Sequence, residues 1–304
     1  MGNPNFAISS LEIILQKSRH HVLAVISNPP KPMGRKKILK HTEVGSYAIK
    51  NNIELIELGS FDDDDIYKKI VSLDIDIFVV VAFRILPEKY ISIPRFGSIN
   101  LHASLLPKYR GAAPIQWALM NGEKTTGVSV FQIEKKVDTG KIIYQKKIDI
   151  DRSDNFELLS KKLSYYGAEI IIKALNNIED GEANLLEQDN TLSTKAPKIS
   201  KKMLRIKWEW PAVKINNWIR GLSPKPGMTA IFRKKKIKIL ESNVFDEIAK
   251  GVPGKVSSVN KSLLEIYTGS GLLSIKVLQQ EGKKCLPIEE FLKGNNINDN
   301  DIFS

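Results

Sequence analysis

Residues 100–114 read NLHASLLPKYRGAAP, and the way this stretch begins decides the fold. Asn100 and His102 end the run GSINLH at 97–102, and residues two apart on a strand face the same side. An amide and an imidazole therefore converge on one point at the end of a strand. The chain then breaks off through Ser104, Leu105, Leu106 and Pro107 towards Gly111, a sequence that leaves extended geometry at once.

Upstream of this point, short β-branched runs alternate with helical patterns. HVLAVIS (21–27), IELIEL (53–58) and IDIFVVV (75–81) read as strands, while SSLEIILQKS (9–18) and DDDIYKKIVSL (63–73) have helical spacing. The second of these carries acidic residues near its amino end, where the helix dipole favours them. Such alternation predicts an open, doubly wound, Rossmann-like parallel sheet. Ligands of such sheets sit beyond the carboxyl ends of the strands, which is where Asn100 and His102 lie. A further strand, TGVSVFQI (126–133), leads into VDTG (137–140) and places Asp138 just past a strand end. An amide, an imidazole and a carboxylate gathered there suit acyl-type chemistry, which needs oxyanion donors and a base. The plainer alternative is a pair of satisfied polar groups closing a strand, with an Asp-Thr-Gly turn nearby.

Composition sets the outer bounds. A chain of 304 residues with 42% hydrophobic content is long enough for two domains. Forty-six Lys and Arg against 34 Asp and Glu give a formal charge of +12, which favours a polyanionic partner without identifying one. Cys285 is the only cysteine, so an intramolecular disulfide and a thiolate metal cluster are both excluded. No run of about eighteen apolar residues occurs and no export pattern opens the chain. The sequence reads as soluble and cytoplasmic, with no membrane partner and no metal.

At residues 100–114, together with "IQWALMNGE", "TGVSVFQI" and "VDTGKI", the chain closely resembles the methionyl-tRNA formyltransferases over nearly its whole length. The resemblance implies transfer of the formyl group of 10-formyltetrahydrofolate to the α-amine of methionyl initiator tRNA, by direct attack through a tetrahedral intermediate. It implies a catalytic trio of Asn100, His102 and Asp138, and a folate-contacting segment of Ser104, Leu105, Leu106 and Pro107. The loop NPPKPMGRKKIL (28–39) matches a basic loop that approaches the tRNA acceptor end, with Arg35, Lys36 and Lys37 as contacts. Asp138 would either orient His102 or take the amine proton, directly or through water.

The chain departs from the family pattern in two places. Only Met1 precedes GNPNFA, whereas the family has a hydrophobic first strand before this turn. The expectation is an upstream extension of about five or six apolar residues, the usual length of a strand, without which a lane beside the 21–27 and 75–81 strands stays open. The second departure is AFRILPEKY (82–90), shorter than the family's folate-side loop, where Arg84 reads either as a folate-side group or as a solvated arginine.

A long helical pattern at 155–181 gives way to the polar stretch EQDNTLSTKAPKISKK. The predicted organisation is a catalytic domain at 1–181, a linker at 182–206 and a tRNA-binding domain at 207–304. In the last of these, PAVKINNWIRGL spaces Ile215, Trp218, Ile219 and Leu222 on one helical face as core. The short strands after it suggest a small OB-like Greek-key barrel. Residues 201–238 hold twelve Lys and Arg and a single acid, Glu209. Lys234, Lys235 and Lys236 are the densest part of this patch, which reads as phosphate-binding or as the charged defence of a strand edge. Two other functions stay open: formyl transfer to an amino sugar nucleotide or glycinamide ribonucleotide, and RNA binding without catalysis.

Overall fold

The structure is a computed structural model that describes residues 1–34, 36–299 and 301–304. Arg35 therefore lies outside the described residues. The chain divides into two compact units: residues 1–114, 125–149 and 160–196 form the first, and residues 115–124, 150–159 and 197–304 form the second.

The first unit runs α1 (Ile8–Lys17), β1 (Val25–Ser27), β2 (Lys31–Met33), β3 (Ile38–Lys40), α2 (Glu43–Lys50), β4 (Leu55–Glu57), α3 (Asp64–Ser72), β5 (Phe78–Val81), α4 (Glu88–Ile91) and β6 (Ser98–His102). α5 (Pro114–Met120) passes into the second unit from Ile115, and the first unit resumes with β7 (Thr125–Gln132), β8 (Ile142–Asp149) and, from Ser160 onward, the long α6 (Phe156–Glu179). Local chemistry starts these helices where the sequence indicates. Thr42 Oγ1 accepts the Gly45 N–H at 3.0 Å to cap α2, and Asp63 accepts the Ile66 N–H at 3.0 Å to cap α3, each satisfying an N–H that has no partner within its helix.

Pairing is parallel for β1 with β4 and for β5 with β6, then antiparallel for β6 with β7 and β7 with β8. β1 is buried at all three residues, as a parallel strand covered on both faces must be. Met1 and Gly2 lie between β1 and β5. The Gly2 N–H donates to Ile26 O at 3.1 Å, and Met1 O accepts the Val81 N–H at 2.9 Å. Beyond them, alongside residues 21–25 and 73–79, is a cavity of about 580 Å³ lined by side chains such as Val22, Leu23, Ile75 and Ile77. Behind β6, α6 presses close: a Cβ on Gly167 would lie 2.5 Å from Leu101 Cδ2, so only glycine lets the helix approach the strand that carries Asn100 and His102.

The segment expected as a linker is packed on the first unit as far as Ala196. Leu186 and Ile142 exchange both backbone hydrogen bonds at 2.8 and 2.9 Å. The Arg110 N–H donates to Thr194 O at 2.9 Å, and Arg110 O accepts the Ala196 N–H at 2.7 Å. Its polar composition looks like a linker because its partners are backbone groups rather than an apolar face.

In the second unit, α7 (Ala212–Leu222) is followed by β9 (Met228–Phe232), β10 (Lys235–Asp246), β11 (Val256–Val259), β12 (Leu264–Tyr267), β13 (Leu272–Gln280), β14 (Cys285–Pro287) and α8 (Ile288–Lys293). The strands form one antiparallel sheet in the order β11-β12-β13-β10-β9, with β14 beside β13. The expected barrel is thus not found as a closed ladder, because β11 and β9 are its two edges. Isolated bridges line these edges, Ile302 with Lys255 and Phe303 with Phe232 at the end of the chain and Arg205 with Thr229 on β9, and none of these short stretches makes a strand. Met120, Trp208, Ile215, Ile219 and Phe303 belong to the core of this unit. Trp218 packs partly buried against it, edge-on to Trp210 at 4.9 Å.

Candidate active site

Register brings the trio together. In β6 the residues Asn100 and His102 pair with Phe131 and Ser129 of β7, and the turn after β7 returns Asp138 to the same place. His102 is buried, its ring edge-on to Phe131. Its Nε2 lies 2.8 Å from Tyr109 O. A carbonyl only accepts, so Nε2 carries the proton, and this contact fixes both tautomer and ring orientation. Nδ1 then faces Asp138, with Oδ2 at 3.8 Å. That oxygen also accepts the Gly111 N–H at 2.8 Å.

Asp138 holds this position with φ +56°, in the left-handed region where a side chain with a Cβ is disfavoured. Gly111 has φ +123°, and a Cβ there would lie 2.7 Å from Ala196 O. Both residues that meet at Oδ2 thus have backbones set by their surroundings. Asn100 is half-buried, and its side-chain amide has no hydrogen-bond partner among the described residues. It lies two residues before His102 on β6, on the same side of the strand.

Much of the polar backbone of segment 104–107 is taken up within the fold. Ser104 is fully buried and its hydroxyl donates to Lys108 O at 2.6 Å. Ser129 Oγ donates to Ser104 O at 2.6 Å and accepts the Leu106 N–H at 3.1 Å. Gln145 Nε2 donates to Leu106 O at 2.8 Å, and the Leu106–Pro107 peptide is cis. Leu106 is buried with Phe131 and Ile142. Half-buried Leu105 and Pro107 are what this segment leaves at the surface. Leu105 packs over β7, where a Cβ on Gly127 would lie 2.5 Å from its Cδ2.

Arg84 is not a solvated arginine. Its guanidinium donates to Leu58 O at 2.6 Å and Gly59 O at 3.0 Å and lies 4.4 Å from the centre of the Phe61 ring. Burial pushes it below its usual range. It ties the loops after β4 and β5 together. Among the described residues, no group of three or more His, Cys, Asp or Glu could hold a metal ion, and no helix is long and apolar enough to cross a membrane.

Residues 2–175 match the formyl transferase family, and residues 198–296 match the formyl transferase C-terminal domain. The chain belongs to the formyltransferase family. Relatives of this formyltransferase include the methionyl-tRNA formyltransferase of Thermodesulfovibrio yellowstonii, 40% identical over all of this chain and 97% of that one. The methionyl-tRNA formyltransferase of Azobacteroides pseudotrichonymphae is 38% identical over 97% of this chain and 94% of its own. Among solved structures, the N-formyltransferase of Helicobacter canadensis in complex with folinic acid and dTDP-3-aminofucose has a TM-score of 0.67 at 24% identity, covering 92% of this chain and 97% of that one. HypX of Aquifex aeolicus in complex with tetrahydrofolic acid has a TM-score of 0.60 at 19% identity, covering 85% and 47%. At those identities the two structures share the fold.

Basic residues are exposed in both units. Lys36 and Lys37 lie in the turn between β2 and β3, Lys234 lies in the turn between β9 and β10, and Lys235 and Lys236 begin β10. Arg220 is taken out of the basic patch. It is half-buried, it bonds Asn217 Oδ1 at 3.1 Å and Asp154 O at 3.3 Å, and burial lowers its guanidinium.

The residue that sequence reasoning missed is Gln188. Its side chain is buried between Arg110 and the Asp138 turn.

Proposed function

We propose that this formyltransferase moves the formyl group of 10-formyltetrahydrofolate to the α-amine of methionyl initiator tRNA. The observation that carries the chemistry is the convergence of a free Asn100 amide, an oriented His102 and the Asp138 carboxylate at one strand end. The acceptor rests on full-length relatives that bear that activity in their names.

The α-amine of an aminoacyl ester is a weak base, neutral in large part near neutrality, so no covalent enzyme intermediate is needed. Attack on the formyl carbon builds negative charge on its oxygen. Asn100 Nδ2 donates to that oxygen, and His102, whose Nε2–H is committed to Tyr109 O, joins it as a donor through Nδ1–H in its doubly protonated form. Asp138, its Oδ2 3.8 Å from Nδ1, either orients the imidazole once substrate draws the two together or takes the amine proton, directly or through water. Leu105 and Pro107 give an apolar wall to the folate, and Ser104 and Leu106 fix that wall from within.

Lys36 and Lys37, with Arg35 between them and Gly34, are the acceptor-end contacts, and Lys234, Lys235 and Lys236 neutralise phosphates. The catalytic region expected at 1–181 takes in the packed segment as far as Ala196, and the remaining connection to residue 206 leads into a tRNA-binding region at 207–304, its antiparallel sheet serving in the manner of an OB-like surface. The test is formyl transfer from 10-formyltetrahydrofolate to methionyl initiator tRNA with an amino sugar nucleotide as competing acceptor. Preference for the sugar would overturn the assignment of the acceptor, and transfer to neither would overturn the function.

A further inference from the structure

The strap formed by residues 186–196 does more than follow the first unit. Gln188 lies at its centre with an exposure of 7%, and its amide is used on both sides. Oε1 accepts from Arg110 Nη2 at 2.6 Å and from Arg110 Nε at 3.2 Å. Nε2 donates to Gly140 O at 2.7 Å and to Asp138 O at 3.1 Å. Four contacts to one buried amide satisfy both its donors and both lone pairs of its acceptor.

These contacts close a ring around the reacting groups. From His102 the path runs to Tyr109 O, along the chain to Arg110, through Gln188 to the backbone of Asp138, and through Oδ2 of Asp138 to the Gly111 N–H and back towards His102 Nδ1. The strap is fixed to the same turn independently of Gln188, since Thr194 Oγ1 accepts the Tyr109 N–H at 2.8 Å. The turn that Gln188 holds is the one that needs holding. Asp138 is in left-handed backbone geometry, which persists only where the surroundings over-determine it. At Gly140 a Cβ would lie 1.8 Å from Gln132 O, so the turn is folded tightly onto β7.

We propose that Gln188 is a positioning residue for formyl transfer. It clamps the Tyr109–Gly111 turn to the Asp138–Gly140 turn, and so sets where the Asp138 carboxylate stands relative to His102. Arg110 is its partner in this, a cation that orients the amide and carries no substrate. The inference rests on the formyl-transfer reading for its kinetic arm and on geometry alone for its spectroscopic arm. Displacing a catalytic group by about an ångström costs on the order of 10²-fold in rate, which sets the scale of the effect.

The experiment compares Gln188→Ala and Gln188→Glu with the unaltered protein, each alone and combined with Asp138→Ala. Glu keeps the acceptor for Arg110 but loses both donors to the Asp138 turn, so it separates clamping from packing, and it serves should the alanine variant fail to fold. Both variants are expected to lower kcat by about 10-fold to 100-fold while KM for the formyl donor changes less than about twofold. In the Asp138→Ala background the same substitutions are expected to cost nothing further, because the group they position is gone. An unchanged kcat, or a loss of equal size in both backgrounds, overturns the proposal.

The second arm needs no turnover. The ring carbon shifts of His102, assigned by their loss in His102→Asn, are expected to move in Gln188→Glu at fixed pH while those of the other histidines stay. An unmoved His102 overturns the clamp. If the unaltered protein transfers no formyl group, the functional reading fails and this second arm alone decides the inference.

Discussion

His102 and Asp138 face each other across 3.8 Å, imidazole Nδ1 to carboxylate Oδ2, while the same oxygen accepts the Gly111 N–H at 2.8 Å. The longer distance exceeds a hydrogen bond, and catalytic contacts of this kind commonly tighten only when substrate is bound. The Gly111 N–H anchors the carboxylate at this distance from the imidazole.

Replacing Asn100 or His102 by Ala is expected to slow transfer by at least roughly 10²-fold, the usual cost of losing one oxyanion donor. Affinity for tRNA is expected to stay nearly unchanged, because these groups act mainly in the transition state. Asp138→Asn keeps shape and removes charge, and it is expected to fall by a similar factor. Single-turnover rates at saturating substrates, measured beside tRNA binding, decide this. Near-normal turnover in all three variants would remove the catalytic assignment.

Binding of tRNA is expected to weaken linearly in log affinity against log salt, as phosphate contacts release counterions. Converting Lys234, Lys235 and Lys236 to Ser is expected to flatten the slope and to weaken all tRNAs alike, since such contacts position without reading sequence. A salt series of equilibrium affinities tests this, and an unchanged slope excludes tRNA phosphate as the partner of these lysines.

The cavity of about 580 Å³ beside β1 and β5 is expected to accept a strand. Five or six apolar residues placed ahead of Met1 would fill it and would put a peptide N–H where the Met1 amine now donates to Val79 O. Burial pushes that amine down to about 5, a sign of what a charge costs there. Each buried apolar side chain contributes about 1.5–3 kcal/mol against roughly 1–2 kcal/mol to order each residue, so a net of a few kcal/mol remains and Tm is expected to rise on the order of 5–10 °C. Equal melting of the two forms would show that the lane is not a strand site.

Glu265, on β12, has an exposure of 5%, and its Oε1 has no partner. Burial raises its carboxyl above the usual range, opposed by Lys276. A raised folded-state pKa means that stability is complete below the unfolded value and is lost as pH rises through the folded one. Glu265→Gln is therefore expected to raise Tm at pH 7, with the gain shrinking towards the ordinary carboxylate range near pH 4. A Tm difference that does not depend on pH would show that the carboxyl is not the cause.

Much of this fold is legible in the sequence because its signals are local. Asp63 and the acids after it mark the start of α3, β-branched runs mark β1, β4 and β5, and a period of two places Asn100 and His102 on one side of β6. The setting of Ser104 is not legible for the opposite reason. Its hydroxyl is spent on Lys108 O, and no pattern of residue types says which way a hydroxyl turns. Gln188 is invisible for a stronger one: it lies 78 residues from Arg110 and 50 from Asp138, inside a polar stretch that reads as a linker. The closed barrel fails as an expectation because strand-like runs show which segments pair, but not whether the last few residues are long enough to join the two edges.

The second unit is threaded from three separate lengths of chain, and residues 115–124 lie far upstream of the rest. Within it, Met120 joins the core, Trp117 Nε1 donates to Pro197 O at 2.8 Å, and a Cβ on Gly221 would lie 2.9 Å from Met120 Cγ. No single cut in the polypeptide can therefore release this unit whole. A fragment beginning at Pro197 would carry the strands and the lysines but leave α7 with a bare apolar flank. Grafting it onto another protein as a ready-made module, or trading it between relatives at one crossover point, would transplant a wall without its cornerstone.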